Sequence, residues 1–147
     1  MKRFRTTEIS DPNFENDNLR FITVKTAHLK GRGDICVFVP DVPDTTDLPI
    51  VILLHGVYGS AWVWSQKGGA HVTAASLIEE KEIKPMILAM PSDGLWGDGS
   101  AYLPHHQYDF EQWIVSEYRM PLSKIYRKPR PTLNFLSPGF LWAVSER

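Results

Sequence analysis

The sequence predicts an α/β fold, an N-terminal hairpin followed by a partial parallel sheet with flanking helices, and three observations carry that reading. "FITVKTAHL" and "GDICVFVP" alternate apolar and polar residues on either side of "KGRG", as the two half-buried strands of a hairpin do. "IVILLHG" and "KPMILAMPSDG" are continuous apolar runs, the pattern of strands covered on both faces of a parallel sheet. Between those runs, "AHVTAASLIEEKEI" spaces Val72, Ala75, Leu77 and Ile78 as a crossover helix spaces the residues it buries.

Residues 1–20 read as an N-terminal arm, because "MKRFRTTEIS" has neither a strong period nor the apolar core of a targeting signal. The hairpin covers Phe21 to Leu29 and Gly33 to Pro40. Its turn region holds Arg32, Gly33 and Asp34, a triplet shared with adhesion motifs; a hairpin turn calls for glycine on its own account, so no adhesion role is assigned. "PDVPDTTDLP" is a linker loop, and Ile50 to Gly56 is the first buried strand. The helix Ala70 to Ile83 leads to the second buried strand, which ends in a loop. "YDFEQWIVSEY" then places Phe110, Trp113, Ile114 and Tyr118 at helical spacing, with Asp109 and Glu111 near the start, where the helix dipole favours acids. There the pattern stops, and no internal repeat or low-complexity tract is present.

A chain of 147 residues, 43% hydrophobic and 22% charged, suits one soluble globular domain. A formal net charge of -1 leaves no electrostatic footprint for nucleic acid or an anionic membrane, and the basic clusters Lys2, Arg3, Arg5 and Arg127, Lys128, Arg130 are short. No stretch approaches the roughly eighteen apolar residues a membrane span requires. The single Cys36, set within "ICVFV", excludes an intramolecular disulfide and reads as a buried, inert thiol. A reducing, cytoplasmic location is expected.

In open parallel sheets ligands bind beyond the carboxyl ends of the strands. That rule directs attention to "HGVYGSAWVW" and "PSDGLWGDGSAYLPHH", both rich in glycine, polar groups and tryptophan. Taken in order, "PIVILLHGVYGSAWVW", "MPSDGLWGDGSAYLPH" and "YDFEQWIVSE" resemble the first half of an α/β-hydrolase of the esterase D and S-formylglutathione hydrolase group, over about residues 20–117. The resemblance implies a truncated α/β-hydrolase in which His55 and Gly56 form the turn after the family's third strand. It further implies that the backbone N–H of Val57 serves the oxyanion hole, where a fixed donor stabilises the charge that builds on an ester carbonyl. Without the family, "LLHG" is a strand end at which glycine makes the turn.

An oxyanion donor alone does not make a serine esterase. The family places a serine in a G-x-S-x-G elbow, then an acid, then a histidine. None of the serines has glycine two positions before it: Ser60, Ser65, Ser76, Ser92, Ser100, Ser116, Ser123 and Ser137 follow Tyr58, Val63, Ala74, Met90, Asp98, Ile114, Pro121 and Phe135, and Ser10 and Ser145 follow Glu8 and Ala143. His28, His55, His71, His105 and His106 all precede the place where the elbow is due. The written chain lacks nucleophile, acid and base.

The ending "FLSPGFLWAVSER" bears on that gap. Pro138 to Arg147 can be back-translated as CCG GGC TTT CTA TGG GCG GTT TCG GAG CGT. Read two bases later, this spells Gly-Leu-Ser-Met-Gly-Gly-Phe-Gly-Ala, an elbow of the family's type. The same offset from Glu117 onward allows Val-Pro-Asp-Ala-Val-Ile-Glu-Asp-Ile-Pro-Glu, a continuation of the helix begun by "FEQWIVSE". One base lost near codon 118 accounts for both, so residues 118–147 are expected to be an out-of-frame tail, the competing reading being a genuine divergent one. Loss of the strand that follows would leave "IVILL" as an apolar sheet edge and favour self-association.

For the intact gene product the resemblance implies a serine carboxylesterase or thioesterase acting on a small acyl ester; the chain as written is expected to be inactive. The alternative is a catalytically silent module that binds an acyl or aryl ligand in a pocket formed by Tyr58, Trp62, Trp64 and Trp96, set against the plainer reading of aromatics filling a core. A metal-dependent hydrolase would rest on His105, His106 and Asp109. Neighbouring histidines on an extended loop point apart and no second cluster joins them, so they read as surface residues and no metal or cofactor is expected.

Overall fold

The computed structural model describes residues 4–94 and 99–117. Five strands form one mixed sheet: β1 (Phe4–Ile9), β2 (Leu19–Thr26), β3 (Gly31–Phe38), β4 (Ile50–Ile52) and β5 (Ile87–Pro91). Their order across the sheet is β1-β2-β3-β5-β4. The first three pair antiparallel, β5 runs antiparallel to β3, and β4 pairs parallel with β5 through Ile50–Ile87, Val51–Leu88 and Ile52–Ala89. Among the described residues there are two α-helices, α1 (Ala70–Glu79) and α2 (Phe110–Gln112), the latter continued by a π turn over Trp113–Glu117, with a 3-10 turn at Pro12–Phe14 and a second π turn at Val63–Lys67.

The alternation read in the first hairpin strand puts Ile22, Val24 and Thr26 inward, while Phe21 faces outward. The turn falls earlier than the sequence suggests, at residues 27–30, where Lys30 takes φ +50° and donates to the Ala27 carbonyl at 3.1 Å. Arg32, Gly33 and Asp34 therefore lie in β3 rather than in the turn. The Arg32 guanidinium is 2.9 Å from Asp34, and Gly33 lies under Trp113, where a Cβ would come within 2.8 Å of the indole. That close approach fixes the register, because a one-residue slip would put a side chain in the indole's place.

A sheet with two apolar faces needs a layer on each. Ile22, Val24, Ile35, Val37, Ile87 and Ala89 form one core with Phe110, Trp113 and Ile114 of the α2 segment. Cys36, Phe38, Leu88 and Met90 form the other with Ala61 and Ala74, joined by Ala70 and Ile78 of α1. β5 is buried at every position, as its continuous run predicts. Of the residues expected on the inner face of α1, Ile78 and Leu77 are half-buried, but Val72 is 56% exposed and Ala75 is exposed. His71 and Ala74 occupy the inner face instead, so the inward stripe is set by the helix's docking angle and not by the most apolar side chains. Residues 1–20, read as an arm without elements, contribute β1 at the sheet's outer edge. Tyr118 and the whole of 118–147 lie outside the described residues.

Candidate active site

β4 and β5 are parallel neighbours, so their carboxyl ends open on the same side of the sheet. Beyond β4 the Leu53 amide still donates to Ala89 at 2.9 Å, and the chain reaches His55. Beyond β5 it reaches Ser92 and Asp93. The His55 and Asp93 side chains are 3% and 4% exposed, and Nε2 stands 3.7 Å from the Asp93 carboxylate. The Asp93 backbone N–H donates to Nε2 at 3.3 Å. Nδ1 stands 2.8 Å from the Gly56 carbonyl.

Tyr102 closes the group. Its ring meets the imidazole edge-on at 5.5 Å between centroids, and its hydroxyl donates to the Pro91 carbonyl at 3.4 Å. Withdrawal of that hydroxyl from water pushes the phenol well above its ordinary value; the Asp93 charge acts in the same direction and a hydrogen bond from the His55 backbone opposes them. Ala101 and Tyr102 take φ +49° and +54°, left-handed values, in the loop whose Tyr102 ring packs on His55. Backbone of this kind in residues other than glycine persists where its surroundings hold it.

The turn after His55 is tight. Gly59 donates to the Gly56 carbonyl at 3.0 Å, and Tyr58 takes φ +60°. Val57 and Tyr58 are 60% and 85% exposed. A Cβ on Gly99 would lie 2.8 Å from Val57 Cγ2, so the two loops touch at this point. Trp62 is half exposed; Trp64 is half-buried and its indole donates to the Leu54 carbonyl at 2.9 Å. Trp96 lies outside the described residues.

His55, Gly56, Val57 and Tyr58 thus share one turn at the end of β4, with Trp62 and Trp64 just beyond it. His105, His106 and Asp109 are engaged differently. His105 Nε2 stands 2.9 Å from the Ser100 carbonyl, and its ring packs edge-on against Phe110. Asp109 caps α2 by accepting from the Gln112 amide at 2.9 Å, and His106 is exposed. Among the described residues no three of His, Cys, Asp and Glu gather as a metal would require. Cys36 is buried beside Ser65, and burial raises its thiol above the ordinary value. No helix among the described residues is long and apolar enough to cross a membrane.

Asp93 and Tyr102 were not legible as site residues. "PSDG" follows a buried strand, which marks the place, but their contact with a histidine 38 residues upstream of Asp93 arises only when β4 lies beside β5.

No family model matches the sequence. Solved structures do match the fold. A ferulic acid esterase superimposes with a TM-score of 0.62 at 19% identity, over 84% of this chain and 45% of that one. The fold is that of an α/β-hydrolase, in part. This α/β-hydrolase fold also matches an S-formylglutathione hydrolase from Agrobacterium tumefaciens, with a TM-score of 0.58 at 14% identity over 86% of this chain and 49% of that one. A fluorophosphonate-binding serine hydrolase of Staphylococcus aureus, FphF, matches with 0.57 at 15% identity, over 74% and 41%. The chain therefore spans about half the length of these α/β-hydrolases.

Proposed function

We propose that residues 20–117 are the first part of a serine carboxylesterase domain acting on small acyl esters through an acyl-enzyme, with the Val57 N–H as one oxyanion donor. The observation that carries this reading is the His55-Gly56-Val57 turn, which leaves the end of a strand paired in parallel within an α/β-hydrolase sheet, the place where such folds put their chemistry. An N–H held there in advance stabilises a tetrahedral oxyanion with little reorganisation. The esterase names carried by the structural relatives support the reaction class.

In this reading residues 118–147 are out-of-frame translation, and the chain as written has no nucleophile and no activity. The buried thiol of Cys36 accords with a reducing, cytoplasmic setting. Sequencing the gene across the codons for Ser116 to Arg147, then expressing the restored frame, tests both parts. The restored product should hydrolyse 4-nitrophenyl acetate and the 147-residue chain should not. An offset frame that does not spell Gly-Leu-Ser-Met-Gly ends the frameshift reading. A restored protein without esterase activity ends the enzymatic one.

A second reading is a silent acyl- or aryl-binding module, favoured by the exposure of Tyr58 and Trp62 beside Val57 instead of in a core. Saturable, one-site quenching of tryptophan fluorescence by a non-hydrolysable ester analogue is its expected signature; no quenching excludes it.

A further inference from the structure

The His55 imidazole sits at the meeting point of four segments: the end of β4, the 56–59 turn, the start of the loop after β5, and the 99–105 loop. Its two nitrogens have different neighbours. Nε2 receives the Asp93 N–H at 3.3 Å, while the Asp93 carboxylate at 3.7 Å is beyond hydrogen-bonding distance, and a ring nitrogen that accepts carries no proton. In the neutral ring the proton then belongs to Nδ1, whose neighbour is the Gly56 carbonyl at 2.8 Å, an acceptor. The two contacts are mutually consistent in one tautomer only.

That carbonyl already accepts from the Gly59 amide at 3.0 Å. With a second donor on Nδ1, both lone-pair directions of the Gly56 oxygen are occupied and the plane of the Gly56–Val57 peptide is fixed. A peptide group is planar, and this chain has no cis bonds among its described residues, so the Val57 N–H points opposite to the Gly56 C=O. Holding the oxygen inward toward the imidazole therefore turns the N–H of Val57 outward, away from His55 and Gly59. The next residue, Tyr58, is held at φ +60°, a conformation the turn would leave if its anchor were lost.

We infer that His55 is a positioning residue: as the Nδ1–H tautomer selected by the Asp93 backbone amide, it clamps the Gly56 carbonyl and thereby aims the Val57 N–H. The clamp stands on the geometry above, while the use of the aimed N–H as an oxyanion donor rests on the proposed function. His55 donates to no substrate in this arrangement. It acts through the peptide it holds.

The test uses the 147-residue chain labelled with 15N. A long-range 1H–15N spectrum should show His55 with Nδ1 protonated and Nε2 bare. The order parameter of the Val57 N–H should be at the rigid level, about 0.85, in the unmodified chain and in His55→Asn, whose side-chain amide offers a donor near the place of Nδ1. In His55→Phe, which keeps a ring and removes the donor, it should fall below about 0.6. A proton on Nε2, or a Val57 N–H as rigid in His55→Phe as in the unmodified chain, overturns the inference. If His55→Phe does not fold, the tautomer in the unmodified chain decides alone. Titration with benzoate separates the two claims: movement of the Val57 amide resonance supports both. A rigid Val57 N–H that ignores benzoate, with Nδ1 protonated, supports the clamp and counts against the oxyanion reading.

Discussion

Gly59 lies so close to His55 that a Cβ added to it would stand 2.6 Å from Nδ1 and 2.7 Å from the His55 Cβ. No real Cβ tolerates such contacts, and the ring has no room to retreat between Tyr102 and the Asp93 amide. Gly59→Ala should therefore destabilise the fold by about 2 kcal/mol, the usual cost of overpacking. His55→Ala removes the obstructing ring along with its hydrogen bonds and should also destabilise. The double variant should cost at least ~1 kcal/mol less than the two single costs added, because the clash is absent once the ring is gone. Urea unfolding of the four proteins measures the coupling; strict additivity would mean that the turn moves away instead of pressing on the imidazole.

Trp113 is tied to Ser92, which is itself bonded twice to Asp34 of β3. Its indole N–H donates to the Ser92 oxygen at 2.8 Å, while the Ser92 amide donates to Asp34 at 2.7 Å and the Ser92 hydroxyl accepts from the Asp34 amide at 2.9 Å. Ser92 immediately precedes Asp93, so the indole also steadies the floor of the candidate site. Trp113→Phe keeps most of the apolar volume but leaves the Ser92 carbonyl without that donor, and should cost about 1–3 kcal/mol. Gly33→Ala should cost a similar amount, since its Cβ would meet Trp113 Cζ2 at 2.8 Å and Leu29 Cδ1 at 3.0 Å. A midpoint shift without a change in denaturant slope is the expected form of both effects.

Glu15 gives the fold a pH-dependent contact away from the site. Partial burial works to raise its carboxyl, but hydrogen bonds from Arg20 and Ser10 outweigh burial and hold it below its ordinary value of 4.5. The Arg20 Nε lies 2.8 Å from one oxygen, and the Ser10 hydroxyl donates to the same oxygen at 2.6 Å. The folded chain thus binds fewer protons here than the unfolded chain. The contribution is complete above the ordinary glutamate range and is lost as pH falls through the lower, folded-state value. Glu15→Gln should lower stability by about 1 kcal/mol at neutral pH. It should also flatten the pH dependence of the midpoint below pH 4.5, where the unfolded chain takes up a proton on Glu15 that the folded chain still excludes.

The sheet was legible in the sequence wherever a strand's surroundings are uniform. β5 is covered on both faces, so its run is apolar throughout, and β2 is covered on one, so it alternates. β1 was missed because a short edge strand, "FRTTEI", carries neither pattern. In α1 and at the hairpin turn the sequence located the element but not its orientation, since His71 faces inward in place of Val72 and the turn sits ahead of the glycines. The same limit applies to the candidate site. Its location follows from where a buried strand ends; its partners, Asp93 and Tyr102, depend on which strands lie side by side.

That adjacency also leaves β4 with β5 as its neighbour strand among the described residues. The Leu53 N–H donates to Ala89, and the Pro49 carbonyl accepts from Ile87, so the odd-numbered backbone groups of this stretch face β5. Those of Ile50 and Ile52 face the other side. The Leu54 carbonyl, also on that side, is held by the Trp64 indole, which confines the stretch with no strand partner among the described residues to the length of β4 itself. A short apolar edge of this kind is a template for another strand, and a second copy of the chain is the occupant always at hand. Sedimentation velocity should show association rising with concentration. Ile52→Pro removes an outward N–H while leaving the bonds to β5 in place, the one setting in which an edge strand accepts proline. It should shift the distribution toward monomer at equal folded fraction, and association unchanged by the proline would move the self-contact to another surface.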